Sequence, residues 1–276
     1  MIANAARDRR MRAVAICVVV VVGCAPVVLL ALGALQPIGV VRRTLLDNFG
    51  ASWTTQNFSL LGDAVGAWPR WFVNSGIVVL VAVPLTVLVA SLAGFVMATA
   101  SRSWCRALLV VTVVALLVPA SALWAPRAVL YRTIGVSDSL VALILPAFVG
   151  TSPLFVLLFA LSYRRLPRSM FDAAELAGAS PLRVWRQVAW PLGRPTAFAV
   201  GMLAAAWHWG NLSDALLYVS RTESTTVAAG LRNLASIEPA NHPLLLTAAL
   251  LATVPVVALF VVAHRALLAR AVRSAT

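Results

Sequence analysis

The sequence predicts an all-α polytopic membrane protein with six transmembrane helices and a cytoplasmic helical elbow between the fourth and fifth. Three observations lead there. The 276 residues are 61% apolar and 11% charged, with a mean hydropathy of +0.92, whereas a soluble domain carries about a quarter charged residues. Six windows, 13–41, 71–101, 107–126, 139–163, 195–213 and 239–264, contain no Asp, Glu or Arg. Each is near the roughly 20 residues that a helix needs to cross ~30 Å of hydrocarbon. Finally, the Arg-rich connection 164–194 separates the fourth and fifth windows and carries helix start and stop signals. The apolar content excludes disorder. Three cysteines without CxxC spacing exclude a disulfide scaffold, and no His/Cys cluster suggests a metal.

The first span is expected near 13–35, since Pro26 and Pro37 interrupt its window. Its Val21-Val22-Gly23-Cys24 resembles a lipoprotein cleavage site, and processing there would leave five helices. The apolar stretch continuing from Val27 to Leu35 favours an uncleaved helix. The other spans are expected near 71–100, 107–130, 139–163, 195–219 and 244–266, making 1–276 one transmembrane domain. Runs such as Val18–Val22 and Leu108–Val118 do not alternate polar and apolar residues, which excludes a β-barrel. The connection 36–70 holds Trp53 and Trp68, with Trp71 directly after it, suited to an interfacial aromatic belt, and 220–243 reads as an ordered outer loop.

All 22 basic residues are arginine. With the N-terminus inside, fifteen fall on the cytoplasmic side: Arg7, Arg9, Arg10 and Arg12; Arg102 and Arg106; the six of 164–194; and Arg265, Arg270 and Arg273. Seven fall outside. The positive-inside rule therefore puts both termini in the cytoplasm. The net charge of +13 reflects topology and anionic lipid, not nucleic acid, because no basic stripe alternates with stacking aromatics.

Within 164–194, Ser169 and Asp172 form a capping-box-like start, and Asp172 to Ala177 make about two turns of helix. Gly178 is placed to close that helix in a left-handed turn, and Ser180-Pro181 opens a second one running to about Trp190, before Pro191. So short a helix needs a support. It either packs on its own bundle or presents Met170, Phe171, Ala173, Ala174 and Leu176 as an apolar ridge to a partner's groove.

Asp172-Ala-Ala, Gly178 six residues after the Asp, nine further residues, then Val188-Ala-Trp-Pro191 resembles the EAA signature of ABC importer membrane subunits. That signature reads Glu-Ala-Ala, three residues, Gly, nine residues, Ile-x-Leu-Pro. Asp172, Val188 and Trp190 depart from it. Trp71-Phe-Val-Asn74-Ser75, Gly135 to Pro146, Thr226-Val-Ala-Ala-Gly230-Leu231 and Leu251-Ala-Thr-Val-Pro255 are similar to segments of the maltose-type carbohydrate permeases, so the likeness covers most of the chain after residue 52. The resemblance implies a permease in a bacterial inner membrane. Its partners would be a cytoplasmic ATPase dimer, a second permease subunit and an extracytoplasmic solute-binding protein. It implies that Met170, Phe171, Asp172, Ala173, Ala174, Glu175, Gly178 and Pro191 serve ATPase coupling. No cofactor is expected on this chain, which has no GxxxxGK[ST] loop; ATP and magnesium would sit on the ATPases.

For the solute path, Trp207, His208, Trp209 and Asn211, with Asn74, are candidates, because intramembrane polar groups face a bundle interior or aqueous cavity. The tryptophans equally suit packing against a partner permease. Ser75, Ser91 and Thr112 are weaker candidates. A permease for an amino acid, peptide or phosphate is the nearest alternative. An ion-coupled carrier usually carries ionisable residues in its helices, and here only His208 and Asp214 come near qualifying; no nucleophile, metal cluster or acid pair supports a membrane enzyme.

Overall fold

The computed structural model describes residues 22–39, 53–236 and 241–273. The early part of the expected first span, Arg7 to Arg12 and Cys17 lie outside the described residues. The described residues are mostly helical, with no strand among them. The helices are α1 (Val22–Ala34), α2 (Gln56–Ala64), α3 (Trp68–Thr99), α4 (Arg102–Leu117), α5 (Trp124–Thr133), α6 (Leu140–Ile144), α7 (Pro153–Arg164), α8 (Arg168–Leu176), α9 (Pro181–Val184), α10 (Trp190–Trp209), α11 (Leu212–Tyr218), α12 (Val227–Leu234) and α13 (His242–Arg273). Among the described residues three stretches are long and apolar enough to cross a membrane: Trp68–Thr99, Leu140–Arg164 and His242–Val261. The bent pair Arg102–Leu117 and Ala120–Thr133 makes a fourth if counted as one span.

Three stretches expected as single helices are interrupted, each for a local reason. The 107–130 stretch bends by 91° at Val118-Pro119, where Val118 is extended (φ −70°, ψ 117°), as the ring of a following proline demands. The 139–163 stretch passes through a 3₁₀ turn, Leu145–Val149, and then turns left-handed at Gly150 (φ 77°) and Thr151 (φ 60°). The chain restarts at Ser152, whose side chain accepts the Leu154 N–H, with Pro153 in the first turn of α7. The 195–219 stretch stops at Gly210, and Asn211 caps α11 by accepting the Asp214 N–H at 3.2 Å. Conversely, Pro191 ends nothing. The five-residue π turn Trp185–Ala189 joins α9 to α10, and Pro191 falls in the first turn of α10, where its missing N–H is no loss.

The chain divides into two compact units. In one, built from the described parts of Met1–Trp68 and Leu231–Pro255, the buried Asn57 closes the end of α1. Its Nδ2 donates to the carbonyls of Ala34 (2.7 Å) and Gln36 (2.6 Å). The Thr247 hydroxyl donates to Ala34 as well, at 3.2 Å. Within the connection 36–70, Gln56–Ala64 form the helix α2.

The other unit, Pro69–Gly230 with Val256–Thr276, has its core where α3, α7, α9 and α10 meet around Phe95, Phe155, Phe159, Tyr163, Trp185 and Val200. Two glycines permit that packing. A Cβ on Gly94 would lie 2.5 Å from the Phe159 Cβ, and one on Gly193 would lie 2.6 Å from the Tyr163 ring. Trp71, expected at the interface, is buried instead, its ring pressed on Gly230. By contrast α4 has no buried residue, and Leu80 and Leu117 are about three-quarters exposed, as lipid-facing positions should be.

Gly193→Val should destabilise the purified protein by about 1–3 kcal/mol through overpacking against Tyr163. Gly201→Ala, whose Cβ would meet Val87 at an ordinary 3.7 Å, should be neutral or slightly stabilising. Thermal unfolding in detergent checks both, and equal effects would sink the close-approach argument.

Candidate functional site: the elbow and the polar groups of the spans

Between Arg168 and Val184 the chain folds as a helix, a left-handed turn and a second helix, with a start other than the one expected. Its first arm, α8, begins at Arg168 behind Pro167 and has no side-chain cap, so Ser169 and Asp172 lie inside the helix and form no capping box. Proline supplies the extended entry (ψ 128°) that a Ser cap was expected to give. The end follows the sequence reading closely. Gly178 has φ +75°, its N–H donates to the Glu175 carbonyl (2.9 Å), and Ala179 N–H donates to Ala174 (3.0 Å). These two bonds are the Schellman closure, which satisfies carbonyls that the helix end would leave open. Ser180 then stands extended ahead of Pro181 in the second arm, α9.

The two sides of α8 differ. Phe171 is buried, its ring 6.2 Å from that of Phe95 on α3, and Ala174 packs on the same core. Phe171 therefore belongs to the bundle and not to an outward ridge, and Ala174 is half-covered. Met170, Asp172, Ala173, Glu175 and Gly178 are exposed, and Leu176 is 90% exposed. Positions 171 and 174 face inward, while 170, 173 and 176 are exposed. Pro191 is half-buried at the start of α10. Beside α8 lies a cavity of about 310 Å³ whose lining includes Thr99, Tyr163, Arg164, Arg168, Asp172 and Glu175.

The proposed solute residues do not converge. Trp207 is exposed, His208 is buried with Nε2 3.2 Å from the Thr151 hydroxyl, and Trp209 stacks edge-on against Phe72 at 6.0 Å. Asn211 is occupied as a cap, its Nδ2 donating to Asp214 at 2.8 Å. Asn74 is a structural tie: its amide donates to the carbonyls of Glu223 and Thr225, both at 2.8 Å, while Ser75 accepts the Val227 N–H at 2.9 Å. Ser91 is likewise engaged, with Tyr163 and Trp185.

The sequence reading missed two clusters. Arg127 of α5 pairs with the buried Asp214 of α11 at 3.5 Å. Beside them the Tyr131 and Tyr218 rings meet edge-on at 5.0 Å, and the Tyr218 hydroxyl donates to the Trp124 carbonyl at 3.2 Å. Arg127 closes the charge-free window 107–126, and a lone arginine within the expected span 107–130 is the signal that points to it. The second cluster joins Thr86, Thr151 and His208, and His208 Nδ1 there is buried without a partner. A β-branched residue with positive φ at Thr151 has no sequence signal beyond the preceding Gly150. Among the described residues no group of three His, Cys, Asp or Glu is placed to hold a metal.

Asn74→Ala should leave two carbonyls short of a donor, a loss of about 1–3 kcal/mol. Hydrogen exchange should then speed up in 222–230 and stay unchanged in α8. Unaltered exchange in 222–230 would contradict the role assigned to Asn74.

No family model matches the chain. Individual relatives do. The arabinooligosaccharide transport system permease protein AraQ of Bacillus subtilis is 26% identical over 237 residues, 85% of this chain and 84% of the relative. The maltodextrin permease MdxG of the same organism is 26% identical over 215 residues, 77% of each chain. The lactose permease LacG of Rhizobium radiobacter is 25% identical over 197 residues, 71% of each. In fold, the chain superposes with a TM-score of 0.77 on a chain of a bacterial ABC transporter that imports alginate, at 13% identity and over 95% of this chain and 97% of that one. The resemblance to maltose-type permeases thus extends through the spans as well as the elbow, and the chain is a multi-pass permease subunit of the ABC importer class.

Proposed function

We propose that this chain forms half of the translocation path of an ATP-driven carbohydrate importer and docks a cytoplasmic ATPase through its elbow. The observation that carries the reading is the two-faced α8, a nine-residue helix anchored inward by Phe171 and closed by Gly178. So short a helix is marginal in water alone. Its outward face, Met170, Ala173 and the 90% exposed Leu176, suits insertion into a partner's groove. Asp172 and Glu175 then flank that ridge and meet polar groups of the ATPase, while Gly178 holds the angle between the arms and Pro191 opens the helix returning to the bundle.

In this reading closure of two ATPases, which hold ATP and magnesium, moves two paired permeases between outward and inward access. A second permease supplies the other half of the path, and a solute-binding protein delivers the solute at the far face. The transport of arabinooligosaccharides, maltodextrin and lactose by the relatives supports a carbohydrate as solute. The arginine distribution supports six spans, with the elbow and both termini on the cytoplasmic side of a bacterial inner membrane. The span containing α1 and the 20-residue α10 are the first and fifth.

Ala173→Glu puts a charge on the outward face and should strip the ATPase from the complex purified in mild detergent. Gly178→Val, which forces a β-branched residue into the left-handed region, should abolish coupled uptake while the chain still accumulates in the membrane. Normal uptake in both variants would end the coupling assignment. Separately, cysteines introduced at Ser180 and Ser236 should react with an impermeant reagent from opposite sides. Labelling of both from one side would overturn the topology.

A further inference from the structure

We infer that Trp185 is a positioning residue that carries movement of the elbow to α3 and α7 through its hydrogen bond to Ser91. The inference rests on the reading of the elbow as the ATPase-coupling element. By covalent connection alone, the elbow hangs from α7 and α10; α3 is joined to it through side chains. Trp185 Nε1 donates to the Ser91 hydroxyl at 3.0 Å, and the Ser91 and Tyr163 hydroxyls lie 2.6 Å apart. All three residues are buried.

The other arm reaches the same place. Phe171 packs on Phe95, one helical turn along α3 from Ser91, and the Phe95 ring stands edge-on to Tyr163 at 6.2 Å. The two arms, separated by the Gly178 turn, therefore land on adjacent turns of α3 with Tyr163 common to both. Gly193 lets α10 lie directly against that same ring.

Packing alone would leave these surfaces free to slide. Hydrogen bonds in a low-dielectric core fix distance and angle together. If the cluster served only to fill space, Phe and Ala would do so without burying three polar groups that must all be satisfied. The π turn Trp185–Ala189 adds the heading. Its wider winding shifts the register between elbow and α10 by one residue, about 100° of helix rotation, and Trp185 is its first residue. A tilted contact with the Trp190 ring, 5.5 Å between centroids, also braces the indole.

The test uses the assembled importer in liposomes, with its binding protein and solute, and reads solute moved per ATP hydrolysed. Trp185→Phe removes the N–H and keeps an aromatic ring; Ser91→Ala removes the acceptor. In each the ATPase should stay bound and hydrolyse ATP while the solute-to-ATP ratio falls about three- to tenfold. The double variant should fall no further than the worse single, since both cut one bond. Unchanged ratios, additive losses, or loss of the ATPase from either single would overturn the inference. Should Ser91→Ala fail to accumulate, Ser91→Cys, which leaves only a weak acceptor opposite Trp185 Nε1, takes its place in the same cycle. Ala173→Glu run alongside separates the two readings. If Ala173→Glu strips the ATPase while Trp185→Phe and Ser91→Ala keep the full ratio, the inference alone fails. If the ATPase survives Ala173→Glu and import is normal, the elbow reading falls first.

Discussion

Hydrocarbon offers backbone groups no water, so each N–H and C=O within a span must find a partner in the protein. That constraint makes the described spans helical, and it governs how they are allowed to break. At the Gly150–Ser152 and Gly210–Asn211 breaks the freed groups find local partners. Gly150 and Thr151 donate to the carbonyls of Ala147 and Pro146, and Ser152 caps α7. Asn211 caps α11, and Asn57 takes up the last carbonyls of α1. The breaks ahead of α7 and α11 are therefore defined objects with their own caps, the form in which irregular backbone is tolerated at membrane depth.

Lipid is as apolar as leucine, so hydrophobicity gives the helices no reason to prefer each other. Close packing and buried polar bonds supply one. Gly94 and Gly193 bring backbones and rings within contact of α7, and the polar groups that a lipid-facing surface would reject are gathered between helices: Ser91 with Tyr163 and Trp185, Thr86 with Thr151 and His208, Arg127 with Asp214. The elbow draws on the same two devices. Its inward side is packing and hydrogen bonds, and its outward side is the apolar ridge left for another protein.

Much of the elbow was legible because its signals are local. Gly178 takes φ +75°, where glycine is favoured, and Pro181 suits a helix start, so the turn and the helix starts beside it could be placed, whereas the end expected for the second arm at Trp190 could not. The solute residues were not legible. Trp207, His208, Trp209 and Asn211 are neighbours in sequence, yet helical rotation sends them to different faces and Asn211 is consumed as a cap. Asn74 looked like a free polar group because its partners, the carbonyls of Glu223 and Thr225, lie about 150 residues away.

Composition and charge spacing by themselves determined that this is a polytopic helical protein, where its longest apolar stretches lie, and that an elbow of two short arms joined at Gly178 stands between two of them. These follow from transfer free energies and backbone preferences, which act residue by residue. Only the tertiary structure decided which face of α8 is anchored and which is offered, that Pro191 continues a helix where a stop was expected, and that Trp185, Ser91 and Tyr163 meet. Those outcomes depend on distances between segments far apart in the chain, and no local preference encodes such a distance.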